Sequence, residues 1–245
     1  MSVLQNNHSV LVLAPSTMGK TFCLRNLPEF GKTVYINTDG KPLPFRTDKK
    51  KFIEVLPGHP DEIPGIIEKA SNTDVVTNIV LDTFTTMADA RVDEVVEKAD
   101  DKWEAWGGQK SFLNGIVKDV KMTDKNFVVL AHETMAVDED SGTVNRYAHI
   151  QGGFGKIGLE AHFSTIIGCT SIRPSTMKGI VPENDLLVVT EYEKEDDIKY
   201  VFQTRRVAST PGAKYRAPNG VWSRNELYID NDIVPVIKRL DEYFS

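Results

Sequence analysis

Ala14-Pro15-Ser16-Thr17-Met18-Gly19-Lys20-Thr21, entered from the apolar run Ser9–Leu13 (SVLVL), decides the fold. A short, partly β-branched apolar run bounded by polar residues reads as a buried parallel strand. The octet after it matches GxxxxGK[ST] with one departure, Ala14 where the first glycine belongs. Such a loop wraps a polyphosphate in main-chain N–H groups at the mouth of a helix, where the helix dipole favours negative charge. Gly19 lets the backbone approach without a Cβ. Lys20 is a point charge for the β/γ oxygens, and Thr21 offers its hydroxyl to Mg²⁺. Ala14, Pro15, Ser16, Thr17, Met18, Gly19, Lys20, Thr21 and Phe22 are therefore the candidate ATP-binding residues, in a helix that starts at Thr21 and stops near Pro28.

Working outward, further buried strands are expected at Lys32–Asn37, Phe52–Leu56, Asn78–Leu81, Asn126–Ala131 and Phe163–Cys169. Helices are expected at Asp61–Ala70, Met87–Ala99 and Gln109–Met122, the last two separated by the Trp/Gly-rich stretch Trp103–Gly108, and at Asp232–Phe244 with Pro235 tolerated in its first turn. This alternation predicts an α/β fold, a P-loop NTPase with a mostly parallel central sheet flanked by helices. Asp185–Tyr192 and Ile198–Arg205 alternate around the acidic turn Glu193–Asp197 and predict a C-terminal antiparallel hairpin. Met135–Gly155 is read as a long loop bearing Gly142, Gly152, Gly153 and Gly155. With no repeat and no linker, residues 1–245 are expected to form one domain.

Asp82 ends the NIVLD strand. After a phosphate loop, an acid there is placed to hold the Mg²⁺ shell, so Thr21 and Asp82 are the candidate metal ligands. The same residue type in that place also caps helices.

Bulk properties agree with a folded enzyme. The chain has 245 residues, 40% hydrophobic and 26% charged, with a net charge of −6. The acidity argues against an overall basic coat but leaves room for a local basic strip. Two cysteines, Cys23 and Cys169, lack zinc-site spacing and read as buried free thiols in a reducing cytoplasm. No apolar run approaches the ~20 residues of a membrane span, and the polar N-terminus lacks a signal core. A cytoplasmic location is expected, in the host cell if the chain is phage-encoded.

APSTMGKT, NIVLDT and NFVVLAHET together resemble the RecA-type ATPases, and among them the phage-encoded single-strand-annealing (Sak-type) recombinases, over roughly Ser9 to Arg216. The resemblance implies Mg-dependent ATP hydrolysis stimulated by single-stranded DNA. It implies a homo-oligomer, ring or filament, with the ATP site at the subunit interface, and a single-strand-binding protein as a further partner. It implies that an acid near the end of the second strand activates water. Asp39 in YINTD matches that position, Glu54 is the second candidate, and Asp39 also suits an Asp-Gly turn. His132, after NFVVLA and before Glu133, is implied as the γ-phosphate sensor, or it caps its strand. Met135–Gly155 matches a mobile DNA-binding loop with Arg146, Tyr147, His149 and Phe154, and Lys156 just beyond; Asp138, Glu139 and Asp140 oppose that role. Trp103 and Trp106 fall near the other DNA loop. Arg205 and Arg206, with Lys214 and Arg216 after them, are the candidates for a positive residue reaching a neighbour's γ-phosphate.

Three other classes compete. A P-loop kinase needs an arginine-rich lid, and none is found: Arg91, Arg146 and Arg173 are scattered rather than clustered. A GTPase needs a guanine reader, and TDKN at Thr123–Asn126 has the wrong order. A nucleotide-gated adaptor for a helicase or packaging machine needs no recombinase activity and stays open.

Overall fold

The computed structural model describes residues 8–140, 142–152, 154, 158–177 and 183–245. Among these residues nine strands, β1 Ser9–Ala14, β2 Lys32–Asn37, β3 Phe52–Val55, β4 Val76–Asp82, β5 Asn126–Val137, β6 Val144–Ala148, β7 Thr165–Ile172, β8 Lys199–Gln203 and β9 Tyr228–Asp230, form one sheet in the order β3-β2-β4-β5-β1-β7-β8-β9, with β6 on β5. The pairings from β3 across to β7 are parallel. The strands β8 and β9 extend that edge antiparallel.

The central strands are buried on both faces because helices cover both, which is why they read as continuous apolar runs. One face packs Leu11, Leu13, Leu81 and Val129 under α2 Ile63–Ser71, α3 Phe84–Arg91 and the long α4 Lys102–Met122. The other packs Val10, Val12, Val80 and Val128 under the short α1 Leu27–Phe30 and the C-terminal α7 Ile233–Phe244. Fully burying each such side chain contributes about 1.5–3 kcal/mol. Two small helices, α5 Pro174–Met177 and α6 Glu191–Glu195, lie on the periphery. Among the described residues no helix is long and apolar enough to cross a membrane.

The structure corrects four expectations. The helix after the phosphate loop is only a 3₁₀ turn, Thr21–Leu24, followed by α1, and Pro28 sits inside the first turn of α1, where its missing N–H is harmless. Trp103–Gly108 does not separate two helices: Asp101 caps α4 through the Glu104 N–H, and α4 runs through the tryptophans and glycines without a break. Asp185–Tyr192 is not a strand. The Thr190 hydroxyl and Glu193 carboxylate form a reciprocal capping box that starts α6, so β8 takes β7 and β9 as its antiparallel partners. Finally, Met135–Gly155 is not a plain loop. The strand β5 continues through Val137, and β6 folds back on it in register from Glu133↔Ala148 to Val137↔Val144.

Candidate nucleotide site

Chain direction brings the C-terminal ends of β1 and β4 and the middle of β5 to one edge, with β5 between the other two. There β1 delivers the phosphate loop, β4 delivers Asp82 and β5 delivers His132. Ala14 is fully buried as the last residue of β1. The left-handed positions of the loop are Thr17, at φ 70°, and Gly19, at φ 75°. Ala14 is not among them, so its Cβ is no obstacle to the turn. Ser16 and Thr17 are exposed and leave the loop open to solvent.

Lys20 is buried, and its Nζ lies 3.0 Å from His132 Nδ1. Burial pushes the ammonium below its ordinary pKa, against the opposing pull of Asp82 and Asp39. Burial, and then the Lys20 charge, also pushes the His132 imidazole down. A neutral ring offering its Nδ1 lone pair to Lys20 satisfies both groups. The His132 N–H is tied to Thr85 Oγ1 at 3.0 Å.

The Thr21 hydroxyl donates to Asp82 Oδ2 at 2.6 Å, and the Tyr35 phenol donates to the same oxygen at 2.8 Å. The other oxygen, Oδ1, is buried with no hydrogen-bond partner among the described residues. Burial pushes the Asp82 carboxyl up, while Thr21, Tyr35 and Lys20 pull it back toward ionisation. An orphaned carboxylate oxygen beside a threonine hydroxyl and a lysine is a donor set suited to a hard divalent cation with a phosphate. The peptide bond between Asp82 and Thr83 is cis.

Asp39 lies beyond the end of β2 and accepts hydrogen bonds from Thr86 Oγ1 and, at 3.4 Å, from Thr83 Oγ1. Burial raises its carboxyl, but the Thr86 bond and Lys41 outweigh that and hold it below the usual aspartate range. It stands ionised, within electrostatic reach of Lys20 and His132. Glu54 is elsewhere. It lies on the edge strand β3, in the row Glu54–Tyr35–Val80–Val128–Val10, four strands from β1. Its carboxylate takes the Asn37 side-chain amide at 2.7 Å.

The remaining candidates scatter. The Glu133 carboxylate is fully buried, with Oε1 taking the Tyr215 phenol at 2.6 Å and Oε2 taking Arg146 Nη1 at 3.1 Å. Arg146 is thus a partner of Glu133 rather than a free cation. The ring of Tyr215 lies so close over β7 that a Cβ at Gly168 would fall 2.1 Å from it. Tyr147 on β6 is half-buried. Phe154 is not a stacking surface: it is 8% exposed, packed against Phe84 and His162 at 6.0 and 4.9 Å between ring centres. Lys156 lies outside the described residues. Trp103 is 89% exposed on the first turn of α4, while Trp106 packs on Gly152.

Arg205 and Arg206 are not brought to the phosphate loop of their own chain. The strand β8 runs antiparallel, with Gln203 opposite Gly168 and Gly168 opposite Leu13, so both arginines follow its far end. Arg205 is bound to the Ser223 and Arg224 carbonyls, and Arg206 is exposed. Arg216 donates to the Glu160 and Phe163 carbonyls. Both cysteines are buried, and burial pushes their thiols up, which removes them as nucleophiles.

Reading along the sequence missed Tyr35, Tyr215 and the threonines around Asp39. A tyrosine inside a buried strand such as KTVYIN was the available signal, because its hydroxyl must find a partner.

A buried lysine in a glycine-turned loop, a threonine and strand-end aspartate in contact, and a histidine on the strand between them, level with the start of the loop, define a P-loop nucleotide-binding ATPase. A family model described as an AAA domain matches residues 6–214, and the chain belongs to that family. No curated protein matches the sequence.

Proposed function

We propose that this chain is a Mg²⁺-dependent ATPase that acts on single-stranded DNA in phage recombination, as the Sak-type annealing proteins do, and that it works as a homo-oligomer. The observation that carries the DNA half of this reading is the single strand β5. It runs without interruption from His132, at Lys20, into the hairpin with β6 that bears Arg146 and Tyr147. From His132 to Val137 that is about 17 Å of rigid strand. A change of contact at the phosphate loop has a direct mechanical route to the hairpin.

At the site, Thr21 and Asp82 would hold Mg²⁺, which supplies charge neutralisation at the β/γ oxygens when bound. Lys20 supplies a second positive charge to the same oxygens, and binding of a phosphate there competes with its contact to His132. The neutral His132 ring, with its Nδ1 accepting from Lys20, carries its proton on Nε2, and that N–H is the donor it offers to a γ oxygen. Asp39, held ionised by Thr86, is the group that activates the attacking water in this reading. Arg206, exposed and away from its own loop, is the candidate to serve a neighbouring subunit.

A specific observation also supports the second reading, a nucleotide-gated adaptor. The hairpin presents Met135, Val137 and Val144 to solvent, 48%, 64% and 41% exposed, next to the acidic tip Asp138–Asp140, a surface better suited to protein than to phosphate.

ATP turnover with and without single-stranded DNA, over a range of salt, separates them. Stimulation of at least about tenfold that fades steeply with salt is the expected result. Turnover that DNA does not change at any salt sinks the DNA reading and leaves the adaptor.

A further inference from the structure

The family match ends at residue 214, yet the chain beyond it returns to the phosphate loop. Asn231, between β9 and α7, is 4% exposed, and its Nδ2 donates to the Gly19 carbonyl at 3.0 Å. The Cys23 N–H donates to the same carbonyl at 3.2 Å. Two flanking bonds hold Asn231 in place. Arg25 Nη1 donates to the Asn231 carbonyl, and Asn26 Nδ2 donates to Asp232 Oδ2. Asp232 Oδ1 meanwhile caps α7 by accepting the Val234 N–H. The approach is close: a Cβ on Gly19 would lie 2.5 Å from Asn231 Nδ2.

A trans peptide is planar, and its C=O and N–H point in opposite directions. Anchoring the Gly19 carbonyl on Asn231 therefore turns the Lys20 N–H away from Asn231. We propose that Asn231 is a positioning residue for phosphate binding: through the Gly19 carbonyl it fixes the Gly19–Lys20 peptide so that the Lys20 N–H stands ready for a phosphate oxygen. This rests on the phosphate-loop reading given above. A second observation supports it. Asn231 Oδ1 is buried with no hydrogen-bond partner among the described residues. An asparagine serving only the fold has both ends of its amide satisfied, because a buried unmet acceptor is destabilising. Among the described residues the amide is oriented by its bond to the loop. The segment Tyr228–Phe244 is then part of the nucleotide site rather than an appendage to it.

The test is ADP and ATP binding by calorimetry with Mg²⁺ present, together with turnover, for the full chain, Asn231→Leu, Asn231→Ala and Lys20→Ala. Asn231→Leu keeps the size and removes the donor. It should weaken both nucleotides about five- to tenfold, the scale of one hydrogen bond, and raise KM with kcat within about twofold. Asn231→Ala carries the same expectation. Unchanged nucleotide affinity with a lowered melting temperature overturns the proposal, as does failure of both Asn231 variants to fold while Lys20→Ala folds. If Lys20→Ala also binds nucleotide like the parent, the phosphate-loop reading itself is wrong. If only Lys20→Ala loses affinity, that reading stands and the role of Asn231 does not.

Discussion

Two buried carboxylates, on strands that lie side by side, have been treated in opposite ways. Asp82 at the end of β4 keeps one oxygen with no partner among the described residues, while two hydroxyls crowd the other. Glu133 on β5 has both oxygens taken, one by the Tyr215 phenol and one by the Arg146 guanidinium. Burial pushes both carboxyls up. The difference separates a ligand from a brace. An oxygen left bare in the interior is tolerated where a cation can arrive, whereas a carboxylate fully paired inside the protein has nothing left to offer.

Replacing the two ends of the site should break this comparison most visibly. Lys20→Ala and Asp82→Asn should each lower ATP turnover by at least about a hundredfold, measured at saturating Mg²⁺. Asp82→Asn should leave the nucleotide-free melting temperature level or higher, since it removes a charge that burial opposes. A drop of several degrees in that variant would mean that Asp82 is a brace after all. Glu133→Gln should do the reverse. It turns an amide NH₂ toward a donor and strips Arg146 of its counter-charge, so stability should fall by about 2 kcal/mol in denaturant titration. Turnover by the folded protein should stay within a few-fold. Loss of turnover on the scale of Asp82→Asn would erase the distinction.

The smallest effect expected is on pH. The His132 pKa is depressed in the folded chain, so the unfolded chain binds that proton more readily. Its contribution is present above the unfolded value, about 6.5, and is lost as pH falls from there through the folded value. Nucleotide-free protein should therefore melt a few degrees lower on going from pH 7 to pH 5.5, and His132→Gln should flatten part of that slope. An identical slope in the variant would show that His132 does not set it.

Much of this was legible in the sequence, and for identifiable reasons. The central strands announce themselves because burial on both faces demands unbroken apolar runs such as SVLVL and NFVVLA. The phosphate loop and Asp82 are local patterns. The outer half of β5 was hidden because a hairpin standing off the sheet has no buried face to impose alternation on Met135–Ala148. The start of α6 was hidden because one capping box, Thr190 with Glu193, overrode a good strand alternation. Tyr35, Tyr215 and Asn231 act across separations of 47, 82 and 212 residues, and no window along the chain contains both partners. Phe154 was misjudged because an aromatic among glycines looks like a loop residue, yet its ring closes the core beside Phe84.

The seat of Tyr215 on Gly168 has an evolutionary consequence. With the ring 2.1 Å from where a Cβ would stand, even an alanine there would displace the phenol that Glu133 depends on. Selection acting on an acid of β5 is thereby felt two strands away, at a residue with no functional group to select. Descendants of this chain can vary position 168 only by first rebuilding the partnership of Tyr215 with Glu133.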